Sequence, residues 1–297
     1  MAYVPAPGYQ SAFNPPIPYT TMIAGGLRPC MGVFIQATLP HDYKRFSVNF
    51  TTLEGDDSDI AFHVSARYDG RDRCVFNSRQ SGQWQEEEIK KDMPFKAGKV
   101  FTMMFEITRN NYLLAANGER FYEYGHRIPL EQVRWLSVSG DIIVQHLAII
   151  GAGTGTKGVS NIDGHCTLPF KGFINGGMIP KRSVVVKGIA TGKNFVINLK
   201  AAFSNEIAFH LNPRFNKGTL VRNSFINGTW GQEDKQIAKN PLKQGDNFEI
   251  SIRATEKKFE VFINGSHSFD FDYRMFNLAQ VDTLEVDGEV KVFYAFF

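Results

Sequence analysis

Short apolar stretches, some with polar residues at alternate positions, recur in both halves of this chain, several of them in pairs that start 11–14 residues apart. In the first half they are RFSVNF, DIAFHV, VFTMMFEI, YLLAANG and DIIVQHLAII; in the second half they are FVINLK, EIAFHL, FEISIRA, FEVFING and EVKVFYAFF. They are rich in β-branched and aromatic residues and too short for helices. Asn117-Gly118 and Asn264-Gly265 are dipeptides that accept the positive φ of a hairpin. The pattern predicts an all-β protein built from two-sheet sandwich or jelly-roll domains.

The pattern of the first half returns in the second half at a nearly constant spacing. The offset is 147 residues between His63 and His210, and 146 residues between Trp84 and Trp230. A solenoid would need several shorter repeats, so the sequence predicts two copies of one domain.

Two segments of different composition bound these copies. Residues 1–18 are rich in Pro, Tyr and Gly, which is typical of an extended tail, and residues 151–163 read GAGTGTKGVSNID, which is typical of a flexible linker. We therefore expect the following order: a tail at 1–18, a first domain at 19–151, a linker at 152–165 and a second domain at 166–297.

Composition and charge narrow the possible functions. Hydrophobic residues make up 43% of the chain, and 26 of the 297 residues are Phe, which favours a folded β protein over a disordered one. The net charge is only +3, and no basic stretch is interleaved with aromatic residues, so a nucleic-acid partner is not expected.

The cysteines and the first residues predict the compartment. Cys30, Cys74 and Cys166 are few, odd in number and not spaced as metal ligands, so free thiols in a reducing compartment are expected. The first residues lack the basic patch and apolar core of a secretory signal, and no apolar run approaches the roughly 20 residues of a membrane span. We expect cytoplasmic synthesis and no transmembrane segment.

A polar motif occupies one strand of the second copy. In His210-x-Asn212-Pro213-Arg214 the residues His210, Asn212 and Arg214 share one face, because side chains alternate along a strand. The residues between them are apolar and are expected to supply the core. An imidazole, an amide and a guanidinium would therefore line one surface.

The motif continues in the segments that follow. Val221-x-Asn223 adds an amide, and Trp230-Gly231-x-Glu233-x-Lys235 adds a carboxylate and an ammonium that share a face. If these segments pair as neighbouring strands, their polar faces merge into one groove with donors and acceptors for several hydroxyl groups. A tryptophan at its edge would cover the apolar C–H patch of a galactose ring, whose O4 is axial. The pattern predicts a galactoside site.

The first copy keeps part of this motif. It has His63, Ser65, Arg67, Asn77, Trp84 and Glu87 at the matching positions. Ser65 stands where the second copy has Asn, Gln85 where it has Gly, and Ile89 where it has a cation. A lost neutral hydrogen bond costs about 1 kcal/mol and a charged one about 1.5–3 kcal/mol. We expect the first site to bind more weakly, by one to a few orders of magnitude, or to take a different ligand.

The motif resembles that of the tandem-repeat galectins. The galectin motif is H-x-N-P-R with V-x-N and W-G-x-E-x-R, and the resemblance covers nearly the whole chain. The opening MAYVPAPGYQ and the segment from Tyr122 to Arg127 are similar to the galectin-four type of that family. The resemblance implies β-galactoside binding without a metal or other cofactor, and cytosolic synthesis followed by unconventional export.

The resemblance also implies individual roles. His210, Asn212 and Arg214 would hold galactose O4. Asn223 and Glu233 would hold O6, and Trp230 would stack on the ring. Lys235 stands where the family often has Arg; with Arg214 and Glu233 it would reach the next sugar, as a point contact instead of a planar fork.

Three other readings compete with a bivalent lectin. The acidic loop from Glu54 to Asp59 suggests calcium but lacks a full ligand set and has no counterpart in the second half. The run Glu86-Glu87-Glu88 suggests a glycosidase, but only Glu87 faces the groove, and a glycosidase needs two facing carboxylates. The altered first motif leaves open an interaction scaffold in which only the second domain binds sugar.

Overall fold

The computed structural model describes residues 8–151, 158–160, 166–237, 240–275 and 277–297. It divides into two compact units, one within Gly8–Gly158 and one that contains the described part of His165–Phe297. Within the described ranges the chain forms strands and short 3-10 turns and no α-helix. The predicted all-β fold class is confirmed.

The strands of the first unit are β1 (Tyr9–Phe13), β2 (Tyr19–Met22), β3 (Gly32–Thr38), β4 (Arg45–Thr51), β5 (Ile60–Arg67), β6 (Arg73–Gln80), β7 (Gln83–Trp84), β8 (Glu88–Lys90), β9 (Phe101–Ile107), β10 (Asn111–Ala116), β11 (Glu119–Gly125), β12 (Trp135–Gly140) and β13 (Ile143–Ile150). A 3-10 turn spans Leu130–Gln132.

These strands form two antiparallel sheets. One has the order β1-β13-β3-β9-β10-β11, and the other has the order β2-β12-β4-β5-β6-β7, with β8 also paired to β6. Aromatic side chains from both sheets meet in the core: Phe50 packs edge-on against Phe105 at 5.3 Å, and Phe62 stacks on Tyr112 at 4.8 Å between ring centroids. The first unit is therefore a two-layer β-sandwich.

The remaining strands are β14 (Gly158–Ser160), β15 (Phe170–Phe173), β16 (Ser183–Ala201), β17 (Glu206–Arg214), β18 (Thr219–Ile226), β19 (Thr229–Trp230), β20 (Asn247–Ala254), β21 (Lys258–Ile263), β22 (Ser266–Asp272) and β23 (Thr283–Phe296). Further 3-10 turns span Phe215–Lys217 and Leu278–Gln280.

In the second unit two long strands run through both layers. The first part of β16 pairs with β20, its last part pairs with β17, and β23 follows it on the other side with a register shift between Ala190 and Phe195. The strand order is β19-β18-β17-β16-β20-β21-β22, with β14, β15 and β16 beside β23. The layer that ends in β17, β18 and β19 carries the polar motif.

The ends of the predicted domains differ from the structure in two places. Residues 9–13, placed in the tail by their composition, form β1 and pair with β13 from Tyr9↔Ile150 to Phe13↔His146. The stretch from Gln10 to Phe13 contains no Pro, so its N–H groups are available to a ladder. Within the predicted linker, Gly158–Ser160 pairs with β23. Residues 1–7, 152–157 and 161–165 of the predicted tail and linker lie outside the described residues.

Candidate functional site

One face of β17, β18 and the segment that follows β19 forms an open groove in the second unit. Antiparallel pairing sets His210 opposite Asn223. The groove has a volume of about 460 Å³ and is lined by His210, Arg214, Asn223, Trp230, Gly231 and Glu233. Phe209 and Leu211, on the other face of β17, are fully buried in the core. The strand parity expected from the sequence is therefore present.

The geometry around His210 fixes its tautomer. Its Nδ1 lies 2.7 Å from Asn198 Oδ1, and the Asn198 amide donates to Glu285 Oε1 at 3.1 Å. The Asn198 oxygen can only accept, so His210 Nδ1 donates and its Nε2 is an acceptor. Burial and the nearby Arg214 charge lower the pKa of His210 to about 4. The ring is neutral at pH 7, with an acceptor available for a hydroxyl group.

A chain of polar and charged side chains runs from Asn212 to Lys235. Arg214 donates from Nε to Asn212 Oδ1 at 2.7 Å and from its terminal nitrogen to Glu233 Oε1 at 2.9 Å. Lys235 Nζ lies 2.5 Å from Glu233 Oε2. The hydrogen bond from Lys235, together with Arg214, lowers the pKa of Glu233 and keeps the carboxylate ionised. The predicted second-site residues Asn212 and Lys235 thus join the groove through Arg214 and Glu233.

Asn223 is held by a residue that the motif did not include. Its amide donates to the Gly231 carbonyl at 2.9 Å, and its oxygen accepts from Arg274 at 3.0 Å. Arg274 also donates to the Gln232 carbonyl at 3.0 Å. A Cβ at Gly231 would lie 2.7 Å from the Arg274 guanidinium, so the absence of a side chain there permits this approach.

The tryptophans occupy equivalent places in the two units. Trp230 pairs with Phe225 of β18 and is 52% exposed, and its ring meets His210 edge-on at 4.9 Å. Trp84 pairs with Arg79 of β6, is 49% exposed and meets His63 at 4.8 Å. Each indole presents an apolar plane next to the polar groups of its groove.

The groove of the first unit is smaller and is lined partly by other groups. Its volume is about 180 Å³, and its lining residues are Arg45, His63, Arg67, Trp84 and Glu87. His63 lies opposite Asn77 in the β5–β6 ladder, and Arg67 donates to Glu87 Oε1 at 3.0 Å. All six predicted first-site residues therefore lie on one face, although Ser65 and Asn77 are buried beneath the groove surface.

Ser65 changes the contacts of the neighbouring arginines. Its Oγ accepts from Arg45 Nε at 2.9 Å. Arg67 Nε is buried and has no hydrogen-bond partner among the residues that the structure describes. The Asn212 contact of Arg214 has no equivalent here: the shorter Ser65 side chain bonds Arg45 and not Arg67 Nε.

Arg45 is a site residue that sequence reasoning missed. It stands opposite Arg67 in the β4–β5 ladder, where the second unit has Asn194 opposite Arg214. A motif search by repetition could not find it, since only one copy has the arginine. Burial, Arg45 and Arg67 together lower the pKa of His63 to about 3.

Ile89 lies at the position where the second copy of the motif has a cation. It pairs with Val75 and is 53% exposed. Lys90 points to the other face, where its Nζ donates to the Phe121 carbonyl at 2.8 Å and lies 4.5 Å from the Phe121 ring. Lys90 therefore does not replace the missing charge beside Glu87.

Acidic residues near the first groove make hydrogen bonds within the protein. Glu88, on the far side of β8 from the groove, accepts from Tyr122 at 2.5 Å and from Arg127 at 2.5 Å. In the acidic loop, Arg79 donates to the Ser58 carbonyl at 2.7 Å, and the Ser81 N–H donates to Asp59 at 2.7 Å. Within the described ranges, no group of three His, Cys, Asp or Glu residues is arranged to hold a metal ion, and no helix has the length and apolarity to cross a bilayer.

The chain is similar in sequence to known proteins over nearly its whole length. The family model for galactoside-binding lectins matches the chain twice, at residues 18–149 and 169–296. The chain is 42% identical to galectin-4 of Homo sapiens over 320 residues that cover 99% of both chains. It is 42% identical to galectin-6 of Mus musculus over 300 residues (99% of both), and 34% identical to galectin-8 of Rattus norvegicus over 300 residues (94% of this chain and 95% of the relative).

Two β-sandwiches, each with a polar groove beside an exposed tryptophan, define a lectin with two recognition domains. The chain belongs to the galactoside-binding lectin family. Its resemblance to the tandem-repeat galectins of the galectin-four type is confirmed.

Proposed function

We propose that this chain is a bivalent, metal-independent lectin that binds β-galactosides of the lactose and lactosamine type and cross-links glycoconjugates. The observation that carries the proposal is the groove of the second unit. There a neutral imidazole acceptor on His210 and an ionised carboxylate on Glu233 stand beside the half-exposed ring of Trp230. Acceptors and donors for several hydroxyl groups next to one apolar plane suit a sugar with an apolar face.

The direction of each hydrogen bond supports a galactose orientation. His210 Nε2 accepts from a hydroxyl group, while Arg214 and the Asn212 amide donate, so one axial hydroxyl can satisfy all three. Asn223 and Glu233 offer the same combination of donor and acceptor for a second hydroxyl group. Arg214, Glu233 and Lys235 would contact the next sugar, because their charged ends form one continuous chain.

The two sites are proposed to differ in affinity. In the first unit, Arg67 lacks the contact that Arg214 makes with Asn212, Ile89 supplies no charge, and the groove is about 180 Å³ against about 460 Å³. The first difference leaves the Arg67 side chain less firmly held, the second removes a charged contact to a hydroxyl group, and the third narrows the space for the sugar. The first site is expected to be weaker or altered in specificity.

Two sites on one chain let the protein bridge glycans on cells without dimerising, over a range set by the linker. We further propose cytoplasmic synthesis followed by unconventional export to the cell surface, where such glycans are found. The test is haemagglutination by the purified chain. Inhibition by lactose and indifference to a chelator are expected; agglutination that lactose does not inhibit would overturn the proposal.

An interaction scaffold is the second candidate, in which only the second domain binds sugar. Two features of the first groove favour it: Arg67 Nε is buried without a hydrogen-bond partner among the described residues, and Ile89 is exposed. Lactose titration of the chain with Trp230→Ala discriminates, since a scaffold predicts no remaining binding and a bivalent lectin predicts weak binding. A glycosidase is not proposed, because the first groove is lined by the single carboxylate of Glu87 and the second by that of Glu233.

A further inference from the structure

A buried arginine lies beneath the second groove. The side chain of Arg222 is only 2% exposed, although it carries a full charge. It donates to the Leu220 carbonyl at 3.1 Å and the Gln236 carbonyl at 2.6 Å, and it forms an ion pair with Asp234 at 2.7 Å. Its guanidinium also lies 4.5 Å from the Phe269 ring. A charge this deeply buried costs stability unless it is well compensated, so its place needs an explanation.

Asp234 stands between the two charged residues that the groove uses. Glu233 and Lys235 point to the groove, and Asp234 points to the other side of the chain, towards Arg222. The backbone is joined there by one bridge: the Arg222 N–H donates to the Asp234 carbonyl at 2.8 Å, and the Asp234 N–H donates to the Arg222 carbonyl at 2.9 Å.

The corresponding segment of the first unit is held by a longer ladder. Glu88–Lys90 forms a strand, with pairs from Cys74↔Lys90 to Phe76↔Glu88. In the second unit the segment from Gly231 to Ile237 forms no strand and has the single bridge at Asp234. Side-chain contacts must therefore contribute more to its position.

The side chains that supply those contacts come from different positions in the two units. Phe76 stands 146 residues before Arg222, at the same offset as Asn77 and Asn223. Phe76 stacks on Tyr122 at 3.6 Å, whereas Arg222 lies over Phe269, which stands 147 residues after Tyr122. In the first unit Tyr122 and Arg127 hold the Glu88 carboxylate. In the second unit Arg222 holds the carboxylate of Asp234, the residue at the matching position.

We propose that Arg222 is a positioning residue for the sugar site of the second unit. Its bonds to Asp234 and to the Gln236 carbonyl fix the segment so that Glu233 and Lys235 meet the second sugar of a disaccharide. The inference rests on the proposed galactoside function. A positioning role differs from a purely structural one because breaking the Arg222–Asp234 pair should remove the second-sugar contacts selectively.

The test uses the full chain with Trp84→Ala, which removes binding at the first groove. Asp234→Asn keeps the shape of the side chain and removes its charge, and Asp234→Glu restores the charge with the residue that the first unit has at Glu88. Affinities for lactose and for methyl β-galactoside are measured by calorimetry, and folding is checked by the melting temperature. Asp270→Asn is the matched control, because Asp270 forms an ion pair with Lys258 on β21 and β22, outside the groove.

We expect Asp234→Asn to lower the ratio of lactose to methyl galactoside affinity about fivefold or more, Asp234→Glu to recover most of it, and Asp270→Asn to leave it unchanged. A double variant, Arg222→Met with Asp234→Leu, removes the buried charge together with its partner; it should fold and show the same lowered ratio. An unchanged ratio in either folded variant overturns the inference alone. A Trp84→Ala parent that does not bind lactose overturns the proposed function, and the inference with it.

Discussion

Arg214 donates from Nε to Asn212 at 2.7 Å, whereas the matching nitrogen of Arg67 is buried without a hydrogen bond to any described residue. The difference arises from two side chains, since Ser65 is shorter than Asn and its hydroxyl is bonded by Arg45, which stands where the second unit has Asn194. In the second groove this arginine nitrogen is thus already bonded before a sugar arrives. The first groove has a donor that its own residues do not use.

Replacing Arg45 should change the proton affinity of His63. Burial is the largest cause of the lowered His63 pKa, and the Arg45 charge is the next. We expect Arg45→Asn to raise the pKa from about 3, to a value that stays below the ordinary 6.5. A histidine NMR titration measures it, with Arg120→Asn as a control on the distant strand β11. An unchanged His63 pKa would show that Arg45 does not act on the ring.

Sugar binding by the second site should be insensitive to pH over most of the physiological range. His210 has a pKa of about 4 and must stay neutral to accept a hydroxyl proton, and Glu233 has a lowered pKa and stays ionised. Lactose affinity of the Trp84→Ala chain should therefore be constant from pH 8 to 5 and fall near pH 4. A fall with its midpoint near 6.5 would contradict the assigned state of His210.

The lowered pKa of His210 also determines how the stability of the folded chain changes with pH. Because the folded pKa of His210 lies below 6.5, the unfolded chain binds the proton first as the pH falls. The contribution of His210 to stability is complete above pH 6.5 and is lost progressively between 6.5 and about 4. Urea unfolding of the wild type and of His210→Asn at pH 7 and pH 5 measures this, and the difference between the two proteins should shrink or reverse at pH 5.

A side chain at Gly231 should weaken the second site. The new Cβ of Gly231→Ala would lie 2.7 Å from the Arg274 guanidinium and displace it from Asn223. A lost charged hydrogen bond of about 1.5–3 kcal/mol corresponds to a tenfold or greater loss of lactose affinity. The first unit offers the reciprocal test: Gln85 stands at this position, and Arg127 lies 3.5 Å from Asn77. Gln85→Gly should shorten that contact and strengthen binding at the first site. Unchanged lactose affinity in Gly231→Ala would exclude Arg274 from the second site, and unchanged affinity in Gln85→Gly would exclude Arg127 from the first.

A cation at position 89 should strengthen the first site. Ile89 is exposed on the groove face, two residues after Glu87, as Lys235 is after Glu233. In the Trp230→Ala background, Ile89→Arg should raise lactose affinity about tenfold or more by adding a charged hydrogen bond. Ile89→Ala is the control and should give no gain. An Arg variant no better than the Ala variant would place the deficit elsewhere, at Ser65 or Arg45.

Much of the fold and site followed from local patterns. Strand alternation was sufficient to predict that His210, Asn212 and Arg214 share a face, because a buried sheet allows one register. The strand at Tyr9–Phe13 could not be predicted, since pairing with β13 is a long-range contact and the surrounding prolines indicate a loose tail. Arg45 and Arg222 escaped the motif because neither has an arginine at the matching position of the other copy, whereas Arg274 repeats Arg127 at an offset of 147 residues. Asn49 and Asn198 do precede their histidines in both copies and hold them at 2.5 and 2.7 Å, so repetition could have identified that pair.

The central claim is that one chain carries two galactoside sites of unequal strength. Calorimetric titration of lactose into full-length Trp84→Ala and Trp230→Ala tests it most directly. Both tryptophans are about half exposed, so each variant should fold, and truncation of such an anchor costs about 2 kcal/mol or more. We predict one site in Trp84→Ala that binds at least ten times more tightly than the one left in Trp230→Ala. Equal affinities, or the reverse order, would contradict the account.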